Sequence, residues 1–128
     1  MTTVPPTEAP ALHTPLHALH LELGARMVRF AGYAMPVQYP AGLLAEHKHT
    51  REKVSLFDVS HMGQISVSGP SAAAALEQVL PIDVMDLGMH RQRYALLLAE
   101  DGGILDDLMV ANRGQDYLLI VNAARKHE

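Results

Sequence analysis

Apolar positions along this chain change their spacing from one stretch to the next, and the changes mark out its elements. Leu16, Leu19 and Leu23 recur at helical spacing after Thr14-Pro15, which predicts a helix with Thr14 as N-cap and Pro15 at the first helical position. Gly24 can end it. From Met27 to Tyr39 (MVRFAGYAMPVQY), strand-forming residues surround Gly32 and Pro36, so short strands with a tight turn are expected. A second helix is predicted from Leu43 to about Lys53, with the run EHKHTREK as its solvated face. Val54 to Val59 is apolar again and reads as a strand that ends at Ser60-His61-Met62-Gly63, where the chain turns into a strand over Gln64–Ser68.

Gly69-Pro70 breaks the pattern, and Ser71 can cap a helix through Leu80 whose Ala72, Ala75, Leu76 and Val79 form one stripe. Beyond it the period is that of strands: Arg93–Ala99, Ile104–Ala111 and Tyr117–Asn122, joined by short glycine-containing links. Such links between apolar runs are hairpin signals. The fold class expected is α+β, an antiparallel sheet with helices packed on one face. Residues 1–13, rich in Pro, Thr and Ala, read as a flexible tail, and residues 14–128 as part of one domain. Ala123 to Glu128 looks like the first turn of a helix that is cut off, so a truncated chain is expected.

Composition narrows the class. A chain of 128 residues, 48% hydrophobic and 19% charged, is globular in character and long enough for one core. Its net charge of -4 lacks the Lys/Arg excess that phosphate neutralisation needs, so no nucleic-acid partner is expected. No run approaches the roughly 18 apolar residues of a membrane span, and MTTVPPTEAPA does not read as a secretion signal. With no cysteine, thiolate metal sites and a Cys nucleophile are excluded. A cytoplasmic protein without membrane contact is the expectation.

The densest chemistry lies in LAEDGGILDDLMV, from Leu98 to Val110. Neighbouring strand residues point to opposite faces. Asp106 therefore shares a face with Ile104, Leu108 and Val110, and Asp107 with Leu105 and Met109. Whichever face is buried, one carboxylate is pushed toward the core, and there it must be hydrogen-bonded, protonated or used. Gly102-Gly103 lacks the frame of a phosphate loop and reads as a hairpin that aims Asp106. The eight histidines form no metal-binding box, and the reading for them is surface or capping residues with no metal. His61 reads first as a half-buried residue fixing a turn, and second as an acid/base group. Tyr94, on the strand expected to pair with that of Asp106, reads as a core aromatic or as a stacking group for a flat ligand. Asn122 is a polar end to an apolar strand.

Several segments in order resemble one family: Thr14-Pro15-Leu16-His17, LGARMV from Leu23, FAGYAMPVQY from Phe30, Glu46-His47, LFDVSHMGQ from Leu56, Tyr94, EDGGILDDL from Glu100, and Val121-Asn122-Ala123. The chain resembles the amino-terminal part of the aminomethyltransferases, the T-proteins of the glycine cleavage system. The resemblance implies transfer of a methylene from the aminomethyl group on the lipoyl arm of the H-protein to tetrahydrofolate, with release of ammonia. It makes tetrahydrofolate a co-substrate and lipoylated H-protein a partner. It implies that Asp106 is the key catalytic carboxylate and that Tyr94, Met62 and Asn122 line the folate cavity. One departure is Ile82, where family members often carry Asn. Readings with the same architecture are a folate-dependent demethylase, the folate domain of a dimethylglycine or sarcosine dehydrogenase, and a non-catalytic folate-binding relative in iron–sulfur cluster maintenance.

Overall fold

A computed structural model describes residues 9–127 of the chain. They divide into two compact units, residues 9–61 and 62–127. The architecture is α+β, with antiparallel pairing in both units.

The first unit holds strands β1 (Leu12–His13), β2 (Arg26–Phe30) and β3 (Tyr33–Gln38) with helices α1 (His17–Glu22) and α2 (Leu43–Glu52). Its sheet order is β1-β3-β2, β1 lying parallel to β3 and β2 antiparallel to it. Leu12 and His13, expected at the end of the tail, are thus in a sheet; residues 1–8 of that tail lie outside the described residues. The β2–β3 turn is Ala31-Gly32, with φ of 48° and 82°. Two consecutive positive φ values match the right-handed twist of a two-residue hairpin.

Three expectations for this unit are corrected. Thr14 does not cap α1: its hydroxyl donates to Asp58 Oδ2 at 2.8 Å, 44 residues away. Leu16, Leu19 and Leu23 do not form a buried face, being 41%, 44% and 53% exposed, and the buried residue of α1 is His20. Residues 54–59 are not a strand. Side chains of α2 hold their start instead, through His49 Nε2 to Val54 O at 3.1 Å and the Thr50 and Ser55 hydroxyls 2.8 Å apart.

The second unit is a four-stranded antiparallel sheet in the order β4-β7-β6-β5, comprising β4 (Gly63–Val67), β5 (Gln92–Leu98), β6 (Ile104–Asn112) and β7 (Tyr117–Val121). Helix α3 (Ala72–Glu77) follows β4 and is shorter than the predicted run to Leu80. Its buried stripe is Ala72 and Leu76, continued by Leu80 beyond the helix, while Ala75 and Val79 are exposed. Leu76, Leu80, Val84 and Leu87 pack against Ala95, Leu108, Val110, Leu119 and Val121 from the sheet. Each of these Leu and Val side chains contributes about 1.5–3 kcal/mol through burial. Ile82 packs at the margin of this cluster. Glu77 Oε1 accepts the backbone N–H of Val84 and Met85 at 2.7 and 2.8 Å, tying the loop after α3 to the helix.

Candidate functional site

The β5–β6 hairpin places the acidic pair. Its turn closes through Gly102 N–H to Ala99 O at 2.9 Å and Ala99 N–H to Gly103 O at 2.8 Å, with Gly102 at a φ of 83°. Asp101 Oδ1 accepts the Gly103 N–H at 2.9 Å. Leu97 pairs with Asp106, but Leu98 pairs with Ile104, so Leu105 is an extra residue and the strand bulges beside the aspartates. Leu108 and Val110 are buried, and Asp106 on their side of β6 is half-buried whereas Asp107 is exposed. Ile104, which strict alternation places with them, is 65% exposed because the bulge interrupts the alternation.

Asn122 joins the two carboxylates. The β6–β7 ladder ends at Leu108 opposite Val121, and Asn122 follows directly. Its Nδ2 donates to Asp106 Oδ1 at 2.8 Å and to Asp107 Oδ1 and O, each at 3.0 Å. Its backbone N–H reaches Asp106 Oδ2 at 3.3 Å. Both oxygens of Asp106 are thus held by one residue of the neighbouring strand.

Tyr94 stands on β5 opposite Met109, diagonal to Asp107 on the same sheet face. At 56% exposure it is not a core aromatic. Partial desolvation, the charge of Asp107 and a hydrogen bond to Asp107 push its phenol above the ordinary tyrosine value. Met62 is half-buried and precedes Gly63, which pairs with Val121, so it lies at the end of the sheet where Asn122 leaves it. Asp106, Asn122 and Asp107 therefore form one hydrogen-bonded group with Asn122 at its centre, Tyr94 stands beside Asp107, and Met62 lies near Asn122.

The first unit contains a cluster that sequence reading did not single out. His20 is buried, with its Nε2 2.9 Å from Asp58 Oδ2 and its Nδ1 2.8 Å from the Tyr39 hydroxyl. Thr14 donates to the same Asp58 oxygen, and Ser60 donates its backbone N–H at 2.9 Å and its hydroxyl to the other. Burial raises the Asp58 carboxyl, but the hydrogen bonds of Ser60, His20 and Thr14 outweigh it and hold the group well below the usual carboxylate range. A hydroxyl, an imidazole and a carboxylate in line are also the parts of a nucleophile relay. Tyr39, however, is raised by burial and by the charges of Glu46 and Asp58, so its proton is held more firmly. The cluster is a structural tie between β1's end, α1, β3's end and the 54–60 segment. A signal did exist for two of its members: His20 and Asp58 are polar positions between apolar neighbours, Leu19 and Leu21 for one and Phe57 and Val59 for the other.

A cleft of about 830 Å³ lies in this unit between β3, α2 and the 54–58 segment, lined among others by Tyr39, Glu46, His47, Phe57 and Asp58. His61 is half-buried, with its ring edge-on to Phe30 at 5.7 Å and Tyr33 at 6.3 Å, against the β2–β3 turn. His13 and His17 stack face to face at 3.6 Å, an arrangement in which the ring lone pairs run parallel and do not converge on one ion. Among the described residues no three or more His, Asp or Glu are grouped to hold a metal, and no helix is long and apolar enough to cross a membrane.

The chain belongs to the family described as the GCVT N-terminal domain, whose model matches residues 16–128. It is 52% identical over 113 residues to an aminomethyltransferase of Chloroherpeton thalassium, covering 88% of this chain and 31% of that protein. It is 44% identical over 110 residues to a mitochondrial aminomethyltransferase of Dictyostelium discoideum, covering 86% and 27%. Among solved structures it matches the glycine cleavage system aminomethyltransferase T of Bartonella henselae with a TM-score of 0.85 and 43% identity, over 91% of this chain and 32% of that one. The chain therefore spans about a third of the length of these relatives.

Proposed function

We propose that this chain supplies the amino-terminal part of a tetrahydrofolate-dependent aminomethyltransferase of the glycine cleavage system. The reaction moves a methylene from the lipoyl-bound aminomethyl group of H-protein to tetrahydrofolate and releases ammonia. The observation that carries this reading is Asp106, half-buried at the sheet end with both oxygens tied to Asn122. A fixed negative charge in a water-poor site stabilises cationic character at a transferring carbon, and it orients an amine nucleophile. Asp106 is assigned that catalytic role. Tyr94 offers an exposed aromatic face, and Met62 an adaptable apolar one, to a flat pterin. Asn122 completes the proposed cavity lining. Folate and lipoylated H-protein are the partners in this reading, without metal, nucleic acid or membrane. The proposed place is the cytoplasm, in keeping with a chain free of cysteine.

The test is calorimetric titration of the chain with a stable reduced folate, 5-formyltetrahydrofolate. Saturable binding that Asp106→Ala abolishes supports the reading. Binding that survives Asp106→Ala refutes the assignment of Asp106. No binding by a chain that circular dichroism shows to be folded refutes the proposal that these residues form a folate site by themselves.

A further inference from the structure

Asn122 has two N–H donors on its side chain, and three acceptors stand within 3.0 Å of its Nδ2: Asp106 Oδ1, Asp107 Oδ1 and Asp107 O. Those donors are spent. Its backbone N–H is also directed at Asp106 Oδ2. No hydrogen bond among the described residues uses its Oδ1. We propose that Asn122 is a positioning residue that aims the Asp106 carboxylate and links it to Asp107, and that it can meet a ligand only as an acceptor, through Oδ1.

The chemistry follows from the charges. Two adjacent carboxylates on consecutive residues repel, and an amide that donates to both offsets that repulsion while fixing their orientation. Asp107, in turn, stands diagonal to the exposed Tyr94 on the same sheet face. A ligand stacking on Tyr94 would therefore lie beside Asp107, and a ligand amine facing Asp106 would meet a carboxylate tied through Asn122 to Asp107. This deepens the folate reading and rests on it for the ligand, but the locked amide is a property of the ligand-free chain.

Two measurements separate the claims. In the ligand-free chain, nuclear magnetic resonance should show slow solvent exchange for the Asn122 side-chain amide, speeded by Asp106→Asn. Fast exchange in the native chain overturns the proposal whatever folate does. Slow exchange without any folate binding leaves the positioning role standing and removes the folate reading. Where 5-formyltetrahydrofolate binds, a hydrogen bond to a charged group predicts that Asn122→Ala weakens it about tenfold or more. In the Asp106→Asn background the same change should add less than about twofold, because the two residues act as one unit. Additive losses overturn the proposal in favour of a direct ligand contact. Asn122→Asp keeps the shape but sets a third carboxylate against the pair, so it should bind worse than Asn122→Ala. The reverse order also overturns the proposal.

Discussion

His20 and Asp58, 38 residues apart, lie 2.9 Å from one another with side chains only 5% and 2% exposed. With the His20 Nε2–H donating to Asp58 and the Tyr39 hydroxyl donating to Nδ1, both ring nitrogens are used. Among the described residues of the first unit the buried ones are Thr14, His20 and Met35, while Leu56 and Phe57 are 98% and 67% exposed. Order in this unit therefore rests more on a polar tie than on an apolar core. Buried polar groups of this kind are costly to break because the partners left behind stay desolvated.

Replacing Asp58 is the most direct test. Asp58→Ala strands the Thr14 hydroxyl, the His20 ring and two Ser60 donors, and should cost about 1–3 kcal/mol or more, the penalty for buried donors left without their acceptor. Urea unfolding followed by circular dichroism at neutral pH reads this directly. A cost below about 1 kcal/mol would show that the tie is not what orders the segment.

The same group predicts an acid dependence. Unfolded aspartates take up protons near a pKa of about 3.9, whereas folded Asp58 is held lower by its hydrogen bonds. Its contribution is therefore fully present above about pH 4 and fades as pH falls from there toward the folded value. Asp116, pulled down to about 2 chiefly by hydrogen bonds from Arg113 and Ser66, adds to the same acid limb from the β6–β7 turn. Stability measured between pH 5 and pH 3 should fall less steeply in Asp58→Asn than in the parent chain. An unchanged slope would mean that Asp58 titrates as it does in the unfolded chain.

Tyr39→Phe removes the hydroxyl beside His20 Nδ1 and leaves that nitrogen buried without a partner. The expected loss is about 1–3 kcal/mol, seen as a lower urea midpoint. Because burial and the charges of Glu46 and Asp58 raise the Tyr39 phenol, its ionisation should also come late in an alkaline absorbance titration. Comparison with Tyr39→Phe assigns that late step.

Much of this arrangement was legible in the residues. A tight turn in the stretch holding Gly32 and a hairpin at Gly102-Gly103 were both readable, whereas Pro36, read with Gly32, lies inside β3. Strand alternation put Asp106 rather than Asp107 on the side of buried Leu108 and Val110. Local patterns failed where long-range polar bonds decided the outcome. Thr14 reads as a helix cap from its neighbours alone, yet Asp58 captures its hydroxyl. Residues 54–59 have strand composition, yet side chains of α2 and the Asp58 tie replace ladder partners. The contact of Asn122 with both aspartates also needed the β6–β7 register, which no spacing in the sequence states.

Gly63 tests how tightly the sheet end is built. It pairs with Val121, and a Cβ placed on it would fall 2.6 Å from both Val121 Cγ2 and Lys126 Cβ. Neither neighbour is the far end of a flexible chain, so backbone must shift. Gly63→Ala should destabilise the second unit by about 1–3 kcal/mol, the usual cost of overpacking. It should also speed exchange of the Asn122 side-chain amide, since Asn122 follows Val121. A variant as stable as the parent would show that β4 and β7 can part at this end.

The two aspartates should differ in weight although they are adjacent and share Asn122. Asp106 is half-buried, and both its oxygens are tied to Asn122, whereas Asp107 is exposed and faces Tyr94. A charge in the drier, more rigid position has the larger effect on a developing cation. Residues 16–128 can be placed in the corresponding third of the Chloroherpeton thalassium aminomethyltransferase, which is 52% identical over 113 residues. In that chimera Asp106→Asn should leave the fold intact and cut methylene transfer by about a hundredfold or more, comparable to losing a strong electrostatic contact in the transition state. Asp107→Asn should cost about tenfold or less, because it acts through Asn122 and Tyr94. Equal losses from both would make the carboxylates a functional pair. A larger loss from Asp107 would reverse the roles assigned to them.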